Sequence, residues 1–345
     1  MSDNKSDEEQ QQQMEKIFIC ADVLLEVFNF LDPFELGLKM ALISDQYDAL
    51  VDVHFKSREW SLDWMKIRRA TDGNGAQIVN ARFREGLPIP QGPLPDKVIG
   101  FKYIEISYVD QTVIEFLQRI RRLFDFSGTN VFIGTDVDES RAWDLICQKI
   151  WPLVNDNICG FLHLDPSVLG RLREFSPTIL RNCPRLRSIH SLGLFPNFPA
   201  ADNTASSCRV LAKWLLTPRG DGLPTVLCCA FYGTTMDEFI ESFVSASESA
   251  NFIVKFLEDD DFKPFELKNN WTGERLTFRR IGEKKWLLVR CPLAREEDKW
   301  ANWEKEAIQW ESDSQWNFIA ITFEDRDIGD GFGRARDGRK FIRFF

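Results

Sequence analysis

A chain of 345 residues with 44% apolar side chains can bury a sizeable core, and its length suggests about two domains, or one domain and a small module. Lys and Arg number 43 against 53 Asp and Glu, a formal charge of −10; that balance excludes a general nucleic-acid binder, whose affinity needs a cationic face. No apolar run reaches the roughly eighteen residues of a membrane span. Eight cysteines, at 20, 147, 159, 183, 208, 228, 229 and 291, form no CxxC pair and fit a cytosolic or nuclear, reducing compartment.

Residues 1–15 are acidic and polar and read as a disordered tail, neither signal nor transit peptide. Residues 17–51 read as three short helices. Val23, Leu24, Val27, Phe28 and Leu31 recur at helical spacing; Asp32-Pro33-Phe34-Glu35 then offers an N-cap, a proline at the first helical position and a capping-box glutamate. Ser44 is placed to cap a third turn carrying Tyr47, Leu50 and Val51. A unit this small needs the rest of the chain or another protein to cover its apolar side chains. Trp60, Trp64 and Ile67 predict a further helix over 57–69, making 16–70 one helical module. Four glycines and four prolines make 71–98 a linker or irregular loop.

From residue 99 to 262 a strand–helix repeat is expected. Its strands are Phe101-x-x-Ile104-x-Ile106, Val131-x-Ile133, Cys159-x-x-Leu162-x-Leu164, Leu186-x-x-Ile189, Leu223-x-x-Val226-x-Cys228 and the run Phe252, Val254, Phe256. They recur at roughly 26–37 residues, the range of solenoids. Apolar helices alternate with them. The cadence resembles a leucine-rich repeat, but Val109, Asp136 and Ser167 stand where its asparagine or cysteine belongs. The expected fold class is therefore α+β or α/β: an irregular strand–helix solenoid, or a related open α/β sheet. Residues 263–330 read as a mixed β/α cap with a helix from Glu296 to Trp310 and a last strand at 318–323. Residues 331–345 read as a flexible basic tail.

Ile19-Cys20-Ala21-Asp22-Val23-Leu24, Val27-Phe28-Asn29-Phe30-Leu31, Asp32-Pro33-Phe34-Glu35-Leu36 and Leu42-Ile43-Ser44 with Tyr47 resemble an F-box in order and spacing. Ile19-Cys20 replaces the usual Leu-Pro, and Asp22 the usual Glu. RNCPRLRSIHSLGLFP, LAKWLLTPRGDGLP, REEDKWANWEKEAIQW and QWNFIAITFEDRDIGDG are similar to the C-terminal region of the nematode F-box protein family. The resemblance implies a non-catalytic, substrate-recognition subunit of an SCF-type cullin–RING ubiquitin ligase. Ile19, Leu24, Phe28, Leu31, Leu36, Ile43 and Tyr47 are its implied anchors on a Skp-type adaptor, and through that a cullin. The alternative is a protein-binding scaffold with a degenerate F-box, on the ground of Cys20.

By strand alternation, Tyr103, Glu105, Phe132, Phe161, His163, Arg187 and His190 are the expected outward row for a target protein. No cofactor, membrane or nucleic-acid partner is expected. His163 and His190 with Cys159 and Cys183 could surround a metal, but surface histidines and core thiols are the simpler reading. Cys228 and Cys229 point to opposite faces, suiting one exposed and one core thiol. The acidic phrase 325–331 lacks the fifth and twelfth ligands of a calcium loop. Gly329, Gly331 and Gly333 open no helix, as a phosphate loop requires. The Trp300, Trp303 and Trp310 stripe suits core packing better than a ligand platform, and the cluster Arg334, Arg336, Arg339, Lys340 and Arg343 a solvated tail better than an import signal.

Overall fold

The computed structural model of the chain describes residues 19–31, 35–55, 60–80, 86–94, 98–125, 128–200, 206–230, 235–257, 262–309 and 317–332. Residues 1–15, the proposed cap Asp32 and the basic cluster from Arg334 onward lie outside the described residues. The strands are β1 (Trp60–Arg69), β2 (Ala76–Asn80), β3 (Gly86–Pro88), β4 (Val98–Ile106), β5 (Thr129–Ile133), β6 (Ile158–Leu164), β7 (Ser188–Ser191), β8 (Thr225–Ala230), β9 (Phe252–Leu257), β10 (Phe265–Asn269), β11 (Glu274–Gly282), β12 (Lys285–Pro292) and β13 (Phe318–Ile321). They form one 13-stranded sheet in the order β10-β11-β12-β9-β8-β7-β6-β5-β13-β4-β1-β2-β3. The run from β9 to β1 is parallel throughout; β10–β12 and β2–β3 extend its two ends antiparallel.

The architecture is thus a mixed α/β protein built on an open sheet. From β5 to β9, neighbours in space are neighbours in sequence, as a strand–helix array requires. One insertion departs from a solenoid, whose units touch only their sequence neighbours: β13, near the end of the described chain, lies between β4 and β5. Residues 263–330 are therefore no terminal cap. They contribute both an edge and a central strand.

Helices α1 (Ala21–Phe28) and α2 (Asp45–Phe55) bracket a π turn at Leu36–Met40. Ser44 Oγ accepts from the Tyr47 amide at the start of α2, as its position predicts. Between the strands lie α3 (Gln111–Arg119), α4 (Arg121–Asp125), α5 (Ser140–Leu145), α6 (Trp151–Val154), α7 (Pro166–Phe175), α8 (Ser207–Leu216) and α9 (Thr235–Val244); α10 (Glu297–Gln309) precedes β13. Asp110 caps α3 by accepting from the Val113 amide, and Asp165 caps α7 by accepting from Ser167 and Val168 ahead of which Pro166 needs no partner.

Two apolar clusters show how the layers stack. Ile104, Ile106, Val131, Ile133, Phe161, Ile189, Leu227, Val254 and Phe256 share one core with the apolar faces of α3 to α9. The strong right-handed preference of crossovers between parallel strands accounts for those helices sharing one face. Val226, Ile253, Leu287 and Val289 point the other way and pack under Trp300 and Ala307 of α10. Among the described residues, α10 covers the opposite face at β8, β9 and β12, and on that face Trp64, Tyr103, Phe132 and Phe318 of β1, β4, β5 and β13 are exposed or half-buried.

Three sequence expectations change here. Residues 60–69 form a strand: Leu62, Met65 and Ile67 are buried and pair in parallel register with β4, so tertiary pairing overrides a spacing that also fits a helix. Residues 71–98 hold β2 and β3, and Gly73 and Gly75, both at positive φ, turn β1 into β2. In β8 the inward set is one residue off, with Leu227 and Cys229 facing the helices instead of Val226 and Cys228, and in β6 Phe161 takes the inward place expected of Leu162 while Leu164 keeps its own. A one-residue slip exchanges the faces of a strand.

Candidate functional site

The open face is a row of side chains running across the strands. Parallel register sets Trp64 beside Tyr103, Tyr103 beside Phe318, and Phe318 beside Asn130. The first three rings stack: 4.3 Å between Trp64 and Tyr103, 5.0 Å between Tyr103 and Phe318, interplanar angles 21° and 8°. One rung along, Lys66 Nζ donates to Glu105 Oε1 at 2.6 Å, and Thr322 Oγ1 donates to the same oxygen at 3.4 Å. Burial among the rings, then the Glu105 charge, raises the Tyr103 phenol above its usual range. It stays a neutral hydrogen-bonding group.

Further along the row, Phe132 meets His163 edge-on at 5.9 Å, and His163 lies 4.9 Å from His190. His163 holds φ 52°, a left-handed backbone unusual for histidine. That break in alternation sends both Leu162 and His163 away from the helix layer and returns Leu164 to it. Burial, then His163 and Lys255, lowers the His190 pKa to about 4, so at neutral pH it is an uncharged imidazole.

Beside α10 the face deepens into a cavity of about 210 Å³ lined by Asn130, Cys159, Arg187, Ser188, Val226, Glu306 and Ala307. Two of the lining residues, Arg187 and Glu306, form an ion pair at 3.1 Å. Gly160 lies between two of the lining residues: a Cβ there would overlap Asn130 Oδ1 and sit 2.7 Å from Ser188 Oγ. Burial pushes the Cys159 thiol up to about 11, which leaves it protonated and a poor nucleophile at neutral pH.

Of the seven expected target-facing residues, Tyr103, Glu105, Phe132, His163, Arg187 and His190 come together on this face. Phe161 does not: it is buried on the helix side, stacked on Trp151 at 6.1 Å. Trp64, Phe318 and Asn130 join the row without a signal in the sequence: β1 reads as a helix, β13 reaches the row from far along the chain, and Asn130 precedes the apolar pattern of β5. The histidines and cysteines do not converge: Cys183 lies in the helix-side core, donating to the Ile179 carbonyl. Cys228 is buried like Cys229, on the opposite side of the strand, so neither thiol of that pair is exposed. In the acidic phrase, Asp325 accepts from the Ala142 amide, Asp327 from the Glu324 amide, and Glu139 from the Asp325 amide. Those carboxylates cap backbone. Trp300 packs in the α10 cluster; Trp310 lies outside the described residues.

The N-terminal helices present a second surface. Leu24, Phe28 and Leu36 are core residues, and Leu31 and Tyr47 pack partly against it. Only Ile19 and Ile43 of the implied anchors are exposed. With them stand Val23, Val27, Phe30 and Leu42, with Phe30 89% exposed. Val23 and Val27 lie one turn apart on α1, beside Leu24 and Phe28 on the helix, with Ile19 just before the helix and Phe30 in the turn after it. Among the described residues, no helix is long and apolar enough to cross a membrane. No family model, no curated protein and no solved structure matches the chain.

Proposed function

We propose that the chain is the substrate-recognition subunit of an SCF-type cullin–RING ubiquitin ligase. The N-terminal helices dock a Skp-type adaptor, and the open sheet face holds a target protein. The chain itself performs no chemistry. One observation carries the reading: the F-box-like segment buries Leu24 and Phe28 in the main core and, among the described residues, leaves Ile19, Val23, Val27 and Phe30 exposed. Exposed large apolar side chains in contiguous array mark interaction surfaces. The aromatic row and the cavity lined by Arg187 and Glu306 supply the mixture of flat apolar area and charge that suits a protein ligand.

Titration of purified Skp-type adaptor tests the reading. Val23→Asp/Val27→Asp alters these exposed residues and spares the core, so binding should fall by at least about thirty-fold while the fold persists. Absence of wild-type binding at micromolar concentration removes the ligase role. It leaves the second reading, a binding scaffold, which Cys20 in place of the usual proline favours.

A further inference from the structure

The two ends of the sheet are guarded differently. β3 has three residues and ends in Pro88, which cannot donate to a new ladder. β10 has five residues and no proline; it pairs with β11 on one side and, among the described residues, with no strand on the other. Alternation exposes Glu266 and Lys268 on one face of β10 and packs Phe265 and Leu267 against the main core on the other.

We propose that β10 is a self-association edge, through which two copies of this chain join antiparallel about a two-fold axis at Leu267. In that register Glu266 of each copy lies opposite Lys268 of the other, and Leu267 lies opposite Leu267. Directly opposed residues share a face, with Cβ atoms about 4.5–5.5 Å apart, close enough to pair. The segment Phe265-Glu266-Leu267-Lys268-Asn269 is therefore complementary to itself. A slip of two residues sets Glu266 against Glu266 or Lys268 against Lys268. A slip of one turns the two apolar faces to opposite sides. Charge and patterning together select a single register.

The same register brings Lys263 of one copy towards Trp271 of the other. Trp271 is 87% exposed at the tip of the β10–β11 turn. The turn is rigid: buried Asn269 accepts from the Trp271 and Thr272 amides and donates to the Phe243 and Ala246 carbonyls. An ammonium over this indole gives the exposed ring a partner. The product is one continuous sheet across two subunits with both helix layers on the same side, an isologous dimer.

Sedimentation and light scattering across the micromolar range test this with Glu266→Lys, Lys268→Glu, the double swap and an equimolar mixture of the single variants. The wild type should dimerise with rising concentration. Each single variant opposes like charges at both pairs and should weaken the dimer by about tenfold or more. The double swap restores both pairs, and the mixture forms a heterodimer in which Lys faces Glu twice. Both positions are exposed, so circular dichroism should show native folds throughout. A wild type that stays monomeric, single variants that dimerise normally, or a double swap and mixture that fail to recover would each overturn the proposal. None of these readouts involves the adaptor.

Discussion

Arg290 and Glu274 meet on neighbouring strands β12 and β11, Nη2 to Oε2 at 2.7 Å, with side chains only 3% and 1% exposed. Glu274 also accepts from the Ala250 amide, Arg290 donates to the Glu248 carbonyl, and its guanidinium lies over the Phe243 ring. The pair ties the antiparallel end of the sheet to the loop entering β9. Removing one partner strands a buried charge, so Glu274→Ala should cost about 3–5 kcal/mol in denaturant unfolding. The double variant Glu274→Leu/Arg290→Met should cost less than the sum of its singles.

Lys255 Nζ donates to the Ile308 carbonyl at 2.9 Å, reaching from β9 to the last turn of α10. A cation there satisfies a helix-end carbonyl and opposes the negative end of the dipole. Lys255→Met should destabilise the protein by about 1–3 kcal/mol, and hydrogen exchange should quicken in the final turn of α10 before it does in β4 or β13.

Two glycines invite opposite outcomes. Gly160→Ala puts a methyl group against Asn130 and Ser188 and should cost about 1–3 kcal/mol while turning Asn130 away. Gly170 lies mid-helix in α7 with open space around its Cβ position, so Gly170→Ala should stabilise by about 0.5–1 kcal/mol. Thermal unfolding of the two variants checks both signs.

Acid should loosen the open face. The His190 pKa falls from 6.5 to about 4 in the fold, through burial first and then the neighbouring His163 and Lys255. Between those values the unfolded chain holds a proton that the folded chain does not. This contribution is therefore complete above pH 6.5, is lost as pH falls towards 4, and then levels off. His190→Gln should flatten the pH dependence of unfolding across that window; an unchanged slope would assign it to other groups.

Much of the central sheet is legible in the sequence where each strand has one apolar face. Phe101-x-x-Ile104-x-Ile106 and Val131-x-Ile133 read correctly because Lys102, Tyr103, Glu105 and Phe132 occupy the other face. In β8 the run Val226-Leu227-Cys228-Cys229 is buried on both sides, since α10 covers the second face, and alternation then loses its meaning. The same ambiguity hid the exposed apolar residues of α1, where Val23 and Leu24 are equally apolar but only Leu24 is core. β1 was illegible for another reason: Trp60, Trp64 and Ile67 lie at helical spacing, and only pairing with β4, more than thirty residues on, makes them a strand. Pairings of that reach carry no local signature.

The position of β13 orders how the molecule can be made. β4 and β5 are consecutive in the chain yet bond to each other only through Phe318–Ile321. During synthesis, every earlier element can form while a strand-wide gap stays open at the middle of the sheet. A nascent chain therefore holds two unsatisfied parallel edges, flanked by Ile104, Ile106, Val131 and Ile133, until its last tenth emerges. A premature stop ahead of Phe318 would divide the protein into two half-sheets with sticky inner rims.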